Sequence, residues 1–393
     1  MMRIKLFFVS YTAVLAALFL YSFTQVDLSL TLSKFSIYQV LEKSFQNIGF
    51  FQRPLSTLIF TVLFFLLFVS YLLFLYLAKK GKVKLKHLKI MILLTFGLLV
   101  FSYNAFSYDL FNYIFDAKIL THYHLNPYFY SALDFPNDPM LHFMRWTHRV
   151  YPYGPSWLIL TVPLSFVGMG IFLPTFFLFK LLMGLSYLGS CFLIYKISQK
   201  IFPENKLLNL SFWAFNPLVI IESLVSAHND IPMIFFMLLS LYLFLEKKKL
   251  SSIFSYLFSA GVKYSTGAFL PLFIALLYFE RTKKQINWEK FFVTAFVFGI
   301  ITIPIATIRT TFQPWYLLLP LSVASFIPKK YYIFIPSFTA TVFSAAIYIP
   351  YVYMTDYAKG YPQVIFNIEA IGVLAVFLFT LLYFFKKRLL FKN

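Results

Sequence analysis

Asp109 stands in Ser107-Tyr108-Asp109-Leu110-Phe111-Asn112-Tyr113, a carboxylate among aromatics at the end of an apolar run. A carboxylate at such a boundary can take the proton from an incoming hydroxyl. It can also simply start a helix or sit solvated on a rim. Asp116 follows seven residues later, and if 111–120 is helical both carboxylates face one side. Such a pair can hold a metal or divide base and orienting roles. It can equally be structural, with Asp116 paired to Lys118 or Arg145. Arg145-Trp146-Thr147-His148-Arg149 follows, and it leads into Tyr151-Pro152-Tyr153-Gly154-Pro155. A guanidinium fork binds two phosphate oxygens at once, so this stretch can clamp an anion. The same residues also suit an interfacial belt.

Glu222 and His228-Asn229-Asp230 lie between apolar runs, after a helix break at Asn216-Pro217. A charge inside lipid costs ~2.5–3.5 kcal/mol on insertion scales, so this cluster points to function. Lys263-Tyr264 stands alone in an apolar run. A buried lysine needs an anionic partner, and a phosphate ligand or Asp230 would serve. Asn126-Pro127-Tyr128 marks a turn. His122 and His124 precede it at a spacing unlike a helical zinc pair, with no Cys/His set following. Arg309-Thr310-Thr311-Phe312-Gln313-Pro314-Trp315-Tyr316 marks an external end, where Trp315 can stack on a sugar ring or belong to a belt. The single cysteine, Cys191, reads as a small packed residue.

The elements that must position these residues are set by composition. The chain has 393 residues, 60% hydrophobic and 12% charged, with a mean hydropathy of +0.77. One water-facing domain of this size has no interior for so much apolar surface, which excludes a soluble enzyme, a disulfide scaffold and a disordered tail. The net charge of +20 would point to nucleic acid in a soluble protein. Here the basic residues fall in short runs between apolar spans, as the positive-inside rule predicts, so no nucleic-acid partner is expected. The run Lys79–Lys89 is the densest and is placed in the cytoplasm. Arg281–Lys290 and Lys386–Lys392 read as further cytoplasmic ends.

An all-α polytopic membrane protein is expected, with about 11–13 spans of ~20 residues where complete. The N-terminal run reads as an uncleaved first span, and both termini are placed in the cytoplasm. Residues 108–155 are expected to form a structured external loop. A break at Gly261-Val262-Lys263 predicts two short helices meeting at Lys263, and breaks at Gly168–Gly170 and Pro174 interrupt 157–197. Broken helices at membrane depth are tolerated only around an enclosed or wet cavity.

Taken in order, several pieces resemble the GT-C superfamily of membrane glycosyltransferases. They are Asp109 through Asn126-Pro127-Tyr128, Tyr151-Pro152-Tyr153-Gly154-Pro155, Phe215-Asn216-Pro217-Leu218 with Glu222 and His228-Asn229-Asp230, Val262-Lys263-Tyr264, and Phe312-Gln313-Pro314-Trp315-Tyr316. They cover roughly 100–320 and are most similar to bacterial polyprenol-phosphate-mannose-dependent mannosyltransferases. The resemblance implies an outer-facing site in the inner membrane, a polyprenyl-phosphate sugar donor, a glycan or glycolipid acceptor, and a catalytic aspartate that falls on Asp109. Asp109 is followed by Leu110 where many members carry a second acid. The chain then divides into an N-terminal pair of spans with a basic loop (1–89), a GT-C-like catalytic core (90–327) and C-terminal spans (328–393). On this reading Lys263, Arg149, Arg145 and His148 attend the donor phosphate. Asp116, Asn126, Tyr128, Tyr153, His228, Asn229, Asp230, Gln313 and Trp315 attend sugar or acceptor. No cofactor is assigned, and a divalent cation is compatible. A lipid-linked sugar flippase or another multispan transporter is the alternative for a chain with many spans and one polar cavity.

Overall fold

The computed structural model describes residues 2–308, 310–356 and 358–390. Arg309 and Lys392, named above as an external-end and a cytoplasmic-end cation, lie outside the described residues. Among those described there is no strand, only an isolated bridge between Ser131 and Val150. The chain is an all-α polytopic membrane protein. Among the described residues six helices are long and apolar enough to cross a bilayer, or seven if the pair Lys206–Ala214 and Pro217–Val225, bent by 55°, is one span. That is fewer than the 11–13 spans expected from the sequence. Part of the apolar length lies in shorter helices such as Pro155–Val167 and Asp230–Leu245.

In chain order the helices that matter for the site are α1 (Met2–Ser22), α2 (Ser36–Gln46), α3 (Arg53–Lys79), α4 (Leu85–Leu99), α5 (Asp109–Thr121), α6 (Pro155–Val167) and α7 (Phe172–Ile201). They continue with α8 (Lys206–Ala214), α9 (Pro217–Ile220), α10 (Asp230–Leu245) and α11 (Lys249–Val262). Two compact units form from interleaved segments. The first comprises Met1–Leu67, Lys86–Ser190 and Ile220–Tyr264, and the second Phe68–Leu85, Cys191–Val219 and Ser265–Asn393.

In the first unit, hydroxyl pairs tie helices together where water is scarce. The Tyr11 hydroxyl meets that of Thr95, and the Tyr21 hydroxyl meets that of Ser56, both at 2.9 Å. Helix α7 brings Gly184 against Phe96 and Gly189 against Phe235, close approaches that a larger side chain would block. Helix α2 is amphipathic. Its Glu42 turns inward to accept from the Thr31 hydroxyl (2.6 Å) and the Leu32 amide (3.1 Å), while Ile37, Val40 and Leu41 are exposed. That pattern suits a helix lying in the membrane interface, which the hydropathy reading passes over.

Helices α10 and α11 form an antiparallel hairpin sewn by serines. Ser252 and Ser240 each donate to the other's carbonyl at 2.8 Å, Ser255 donates to Phe236 at 2.8 Å, and Ser259 to Met233 at 2.7 Å. Ser252, Ser255 and Ser259 recur at three- and four-residue steps, so one stripe of α11 faces α10. The expected break is present: α11 ends at Val262, and Lys263 is extended.

Residues 122–154 form a structured loop held by few, well-buried contacts. Asp138 takes the Lys118 ammonium, the Tyr123 hydroxyl at 2.7 Å and the Met140 amide at 2.9 Å. In the second unit, Phe74 stacks on Phe215 with centroids 3.7 Å apart, and Asn209 links Ser198 to the Phe326 carbonyl.

Burial alone would raise the Asp138 pKa, but donors from Lys118, Tyr123 and Met140 hold it below the ordinary value. A carboxyl with a depressed folded pKa adds stability above its unfolded pKa of about 3.9 and loses it as pH falls through the folded value. Asp138→Asn is expected to cost about 3 kcal/mol near neutral pH, because it strips a buried ion pair. Thermal unfolding in detergent measures this, and the variant's stability should vary less with pH in the acid range than that of the parent.

Candidate active site

Asp109 is the first residue of α5, where the helix dipole favours a negative charge. Its amide is bonded to the Ser107 hydroxyl at 3.1 Å, which fixes the entry into the helix. Tyr113 and Asp116 follow one and two turns on, along the same face. The Tyr113 hydroxyl lies 3.5 Å from Asp109 Oδ2 and 3.4 Å from Asn229 Oδ1. Its ring packs edge-on against Tyr153 and Trp157, with centroids 5.4 and 5.3 Å away.

The second wall comes from a failed helix. After α9 the backbone widens into a π-turn, Ile221–Val225, and Ala227 takes φ 57°, a left-handed conformation that is costly for a residue with a Cβ. The turn lets the His228 amide bond the Glu222 carbonyl at 2.9 Å. The buried His228 ring then lies between two carboxylates, with Nδ1 3.5 Å from Asp109 Oδ2 and Nε2 3.3 Å from Glu222 Oε2. Asp230 opens α10 and pairs with Lys263, Nζ to Oδ2 2.7 Å, across the mouth of the hairpin. Asp230 is one of the partners expected for Lys263.

A glycine contact closes the third side. A Cβ on Gly154 would strike the Gly261 carbonyl, and one on Gly261 would strike the Ser156 hydroxyl. The turn Tyr153-Gly154-Pro155 therefore seats directly on the end of α11, beside Lys263. This accounts for two of the motifs by backbone approach alone.

Burial opposes ionisation of Asp109, yet the His228 contact and the charges of Lys263 and Arg149 outweigh it and hold the carboxyl below its usual pKa. Burial and the charge of Asp109 push Asp116 the other way, well above the ordinary carboxylate value. One helix face thus carries a strong acid group and a weak one. Lys118 pairs with Asp138 rather than Asp116, so the structural pairing considered between Lys118 and Asp116 is absent. Burial and the fields of Asp109, Asp116 and Asp230 likewise raise the Tyr153 phenol well above its usual pKa.

The structure thus gathers Asp109, Asp116, Tyr153, His228, Asn229, Asp230, Lys263 and Arg149. Arg149 lies over the Trp146 ring at 4.4 Å, and Arg145 over Tyr108 at 4.6 Å. His148 is exposed on the loop. Asn126 shapes its turn by accepting the Tyr128 amide at 3.0 Å, and Tyr128 donates to the Tyr153 carbonyl at 3.1 Å. Gln313 and Trp315 belong to the second unit, where Gln313 donates to Thr311 at 3.0 Å. Tyr113 escapes the sequence reading, although its four-residue spacing from Asp109 is the signal. Lys180, a lysine within the apolar α7, escapes it too. Among the described residues no group of three His, Cys, Asp or Glu side chains is arranged to hold a metal.

The protein is thus a helical, many-span chain with an acid–histidine contact flanked by cations. The chain belongs to the MptA_B family: residues 16–279 match the alpha-(1->6)-mannopyranosyltransferase N-terminal domain. It is thus a mannose-transferring glycosyltransferase of GT-C-like type, and the transporter alternative finds no support there. No curated protein and no solved structure matches the chain significantly.

Gly154→Ala is expected to lose about 1–3 kcal/mol, since the intruding Cβ meets backbone rather than a movable side chain. Gly97→Ala, whose added Cβ meets open space, should not destabilise the protein. Parallel melting curves of the two variants check this.

Proposed function

We propose that the protein transfers a mannosyl group from a polyprenyl-phosphate donor to a sugar hydroxyl of an envelope glycan or glycolipid, with Asp109 as general base. The observation that carries this reading is the grouping of Asp109 with His228, Lys263 and Arg149. It sets a partly buried carboxylate against a buried histidine and beside two cations.

In the proposed step the acceptor O–H gives its proton to Asp109. The oxygen attacks the anomeric carbon as the bond to phosphate breaks on the opposite face. Polyprenyl phosphate leaves with the bonding electrons and gains negative charge. Lys263 and Arg149 answer that charge more strongly in the transition state than before it, and Arg145 and His148 stand further out for the donor head. Inversion to an α-(1→6) product, the linkage in the family description, requires a donor whose phosphate is β. The acceptor on this reading is the primary hydroxyl of a hexose. Asp116, Tyr153 and Asn229 bind sugar hydroxyls. Asp116 suits that role as a buried carboxyl that is a weak acid and lies two turns from the base. Asn126 and Tyr128 shape the loop wall beside them.

The basic residues support an outward-facing site. The hairpin turn Glu246-Lys247-Lys248-Lys249 lies at the end of α10 and α11 opposite to Asp230 and Lys263. Helix α4 likewise separates the run Lys79–Lys89 from Asp109. With the lysines in the cytoplasm, the acid cluster meets the far side of the inner membrane.

Asp109→Asn is expected to lower kcat about 10³-fold in a vesicle assay with synthetic polyprenyl-phosphate mannose, with membrane abundance retained. Full activity in that variant removes Asp109 from its role. Lys263→Ala should raise the donor KM by about 10- to 100-fold. In His228→Gln the acid limb of the kcat/KM profile should move to higher pH. Asp109 then keeps its burial and loses the contact that opposes it.

A further inference from the structure

Lys180 lies eight residues into α7, about 12 Å along the helix axis. It is fully buried, and nothing in the proposed transfer step uses it. An ammonium carries three donors, and here three acceptors meet it. They are the Ser102 hydroxyl at 3.1 Å, the Val225 carbonyl at 3.0 Å and the Leu224 carbonyl. The Ser102 hydroxyl also reaches the Leu224 carbonyl at 3.2 Å. A lysine inside a span costs ~2.5–3.5 kcal/mol to insert, so its retention calls for an interaction that methionine or leucine would not provide.

The two carbonyls are those the π-turn leaves behind. The Ser226 amide reaches back to the Ile221 carbonyl at 2.7 Å and the His228 amide to Glu222 at 2.9 Å. The next helix begins only at Asp230. Carbonyls freed at membrane depth must be met by protein groups. The partial negative charge at such a helix end suits a cation. Three residues after Val225, across the left-handed Ala227, comes His228 facing Asp109.

We infer that Lys180 is a positioning residue: it gathers the carbonyls released by the Ile221–Val225 turn and so holds His228 at its station between Glu222 and Asp109. The catalytic consequence rests on the reading of Asp109 and His228 given above, whereas the structural consequence does not.

Two measurements on the full-length protein separate them. Hydrogen–deuterium exchange reads the bend directly. In Lys180→Met the amides of 221–229 should exchange faster, with the α10–α11 hairpin unchanged. Exchange identical to the parent overturns the inference. Transfer kinetics read the link to chemistry. Lys180→Met should lower kcat by about 10- to 100-fold, the scale of a 1 Å misplacement, with the donor KM within twofold. In a His228→Gln background the same substitution should cost nothing further, because Lys180 acts through His228. An equal loss in both backgrounds marks a purely structural role and overturns the positioning claim. If His228→Gln itself keeps full activity while exchange at 221–229 still rises in Lys180→Met, the proposed reaction centre fails and the bend-holding role stands. Should Lys180→Met not accumulate in the membrane, Ser102→Ala decides. It keeps the lysine, removes one acceptor and should raise exchange at 221–229 to a lesser degree, and no change there overturns the inference.

Discussion

A carboxylate drawn out of water becomes a weaker acid unless charge or hydrogen bonds answer it, and most of the first unit is arranged around answering Asp109. The group that touches it, His228, comes from a segment that no regular helix could supply. Its cations come from two further places, the end of α11 and the loop after α5. A continuous helix through 217–245 would pair the Leu224 and Val225 carbonyls within itself and need no lysine in α7. It would also carry His228 away from the start of α5. The break at the π-turn is therefore what the Asp109–His228 contact demands, and Lys180 is what the break demands.

The same constraint explains the helix contacts around the site. Side-chain hydrogen bonds in lipid contribute about 0.6 kcal/mol each on average, so no single serine bond holds the α10–α11 hairpin. A stripe of them sets its register, and register is what matters at the open end, where Asp230 and Lys263 must meet. Gly154 and Gly261 act alike through shape. Their lack of side chains lets the loop after α5 lie on the end of α11, which brings Tyr153 and Lys263 to one place. Asp109 stands more than a hundred residues before His228 and Lys263 in the chain, so close backbone contacts such as this one are needed to bring them together.

How much of this was legible in the sequence depends on which force spoke locally. Apolar composition and lysine runs announced an all-helical membrane chain, because burial and charge act residue by residue. Asp109, His228, Asp230 and Lys263 stood out for a related reason: a charge amid hydrophobic neighbours is conspicuous wherever it ends up. The partners did not stand out. That Asp230 meets Lys263 depends on the hairpin register, which no residue type announces. Lys118 looked available to Asp116, yet it turns toward Asp138, twenty residues on, because the loop folds back. Lys180 was passed over since α7 reads as one apolar run, and only the distant π-turn gives its charge a purpose. The π-turn itself has no composition signal, because Ile221–Val225 would make an ordinary helix if nothing pulled it open.

If transfer runs by the displacement proposed above, with Asp109 as base, it asks two opposed things of one small volume. The base must stay ionised, which cations nearby favour. The departing phosphate must also find cations, and two anions facing each other across a sugar ring repel. A site with lysine and arginine alone would bind the donor tightly and neutralise the base. A site with carboxylates alone would keep the base and reject the donor. Here Lys263 is already paired with Asp230, and His228 stands between Asp109 and Glu222, so each charge near the base is partly compensated before any substrate arrives. Growing charge on a leaving phosphate can then draw Lys263 toward itself without stripping Asp109 of its support, because that support comes first from the histidine contact and only then from the lysine. The histidine holds its place only while the bend beneath it is held, which ties the strength of the base to a lysine buried in α7.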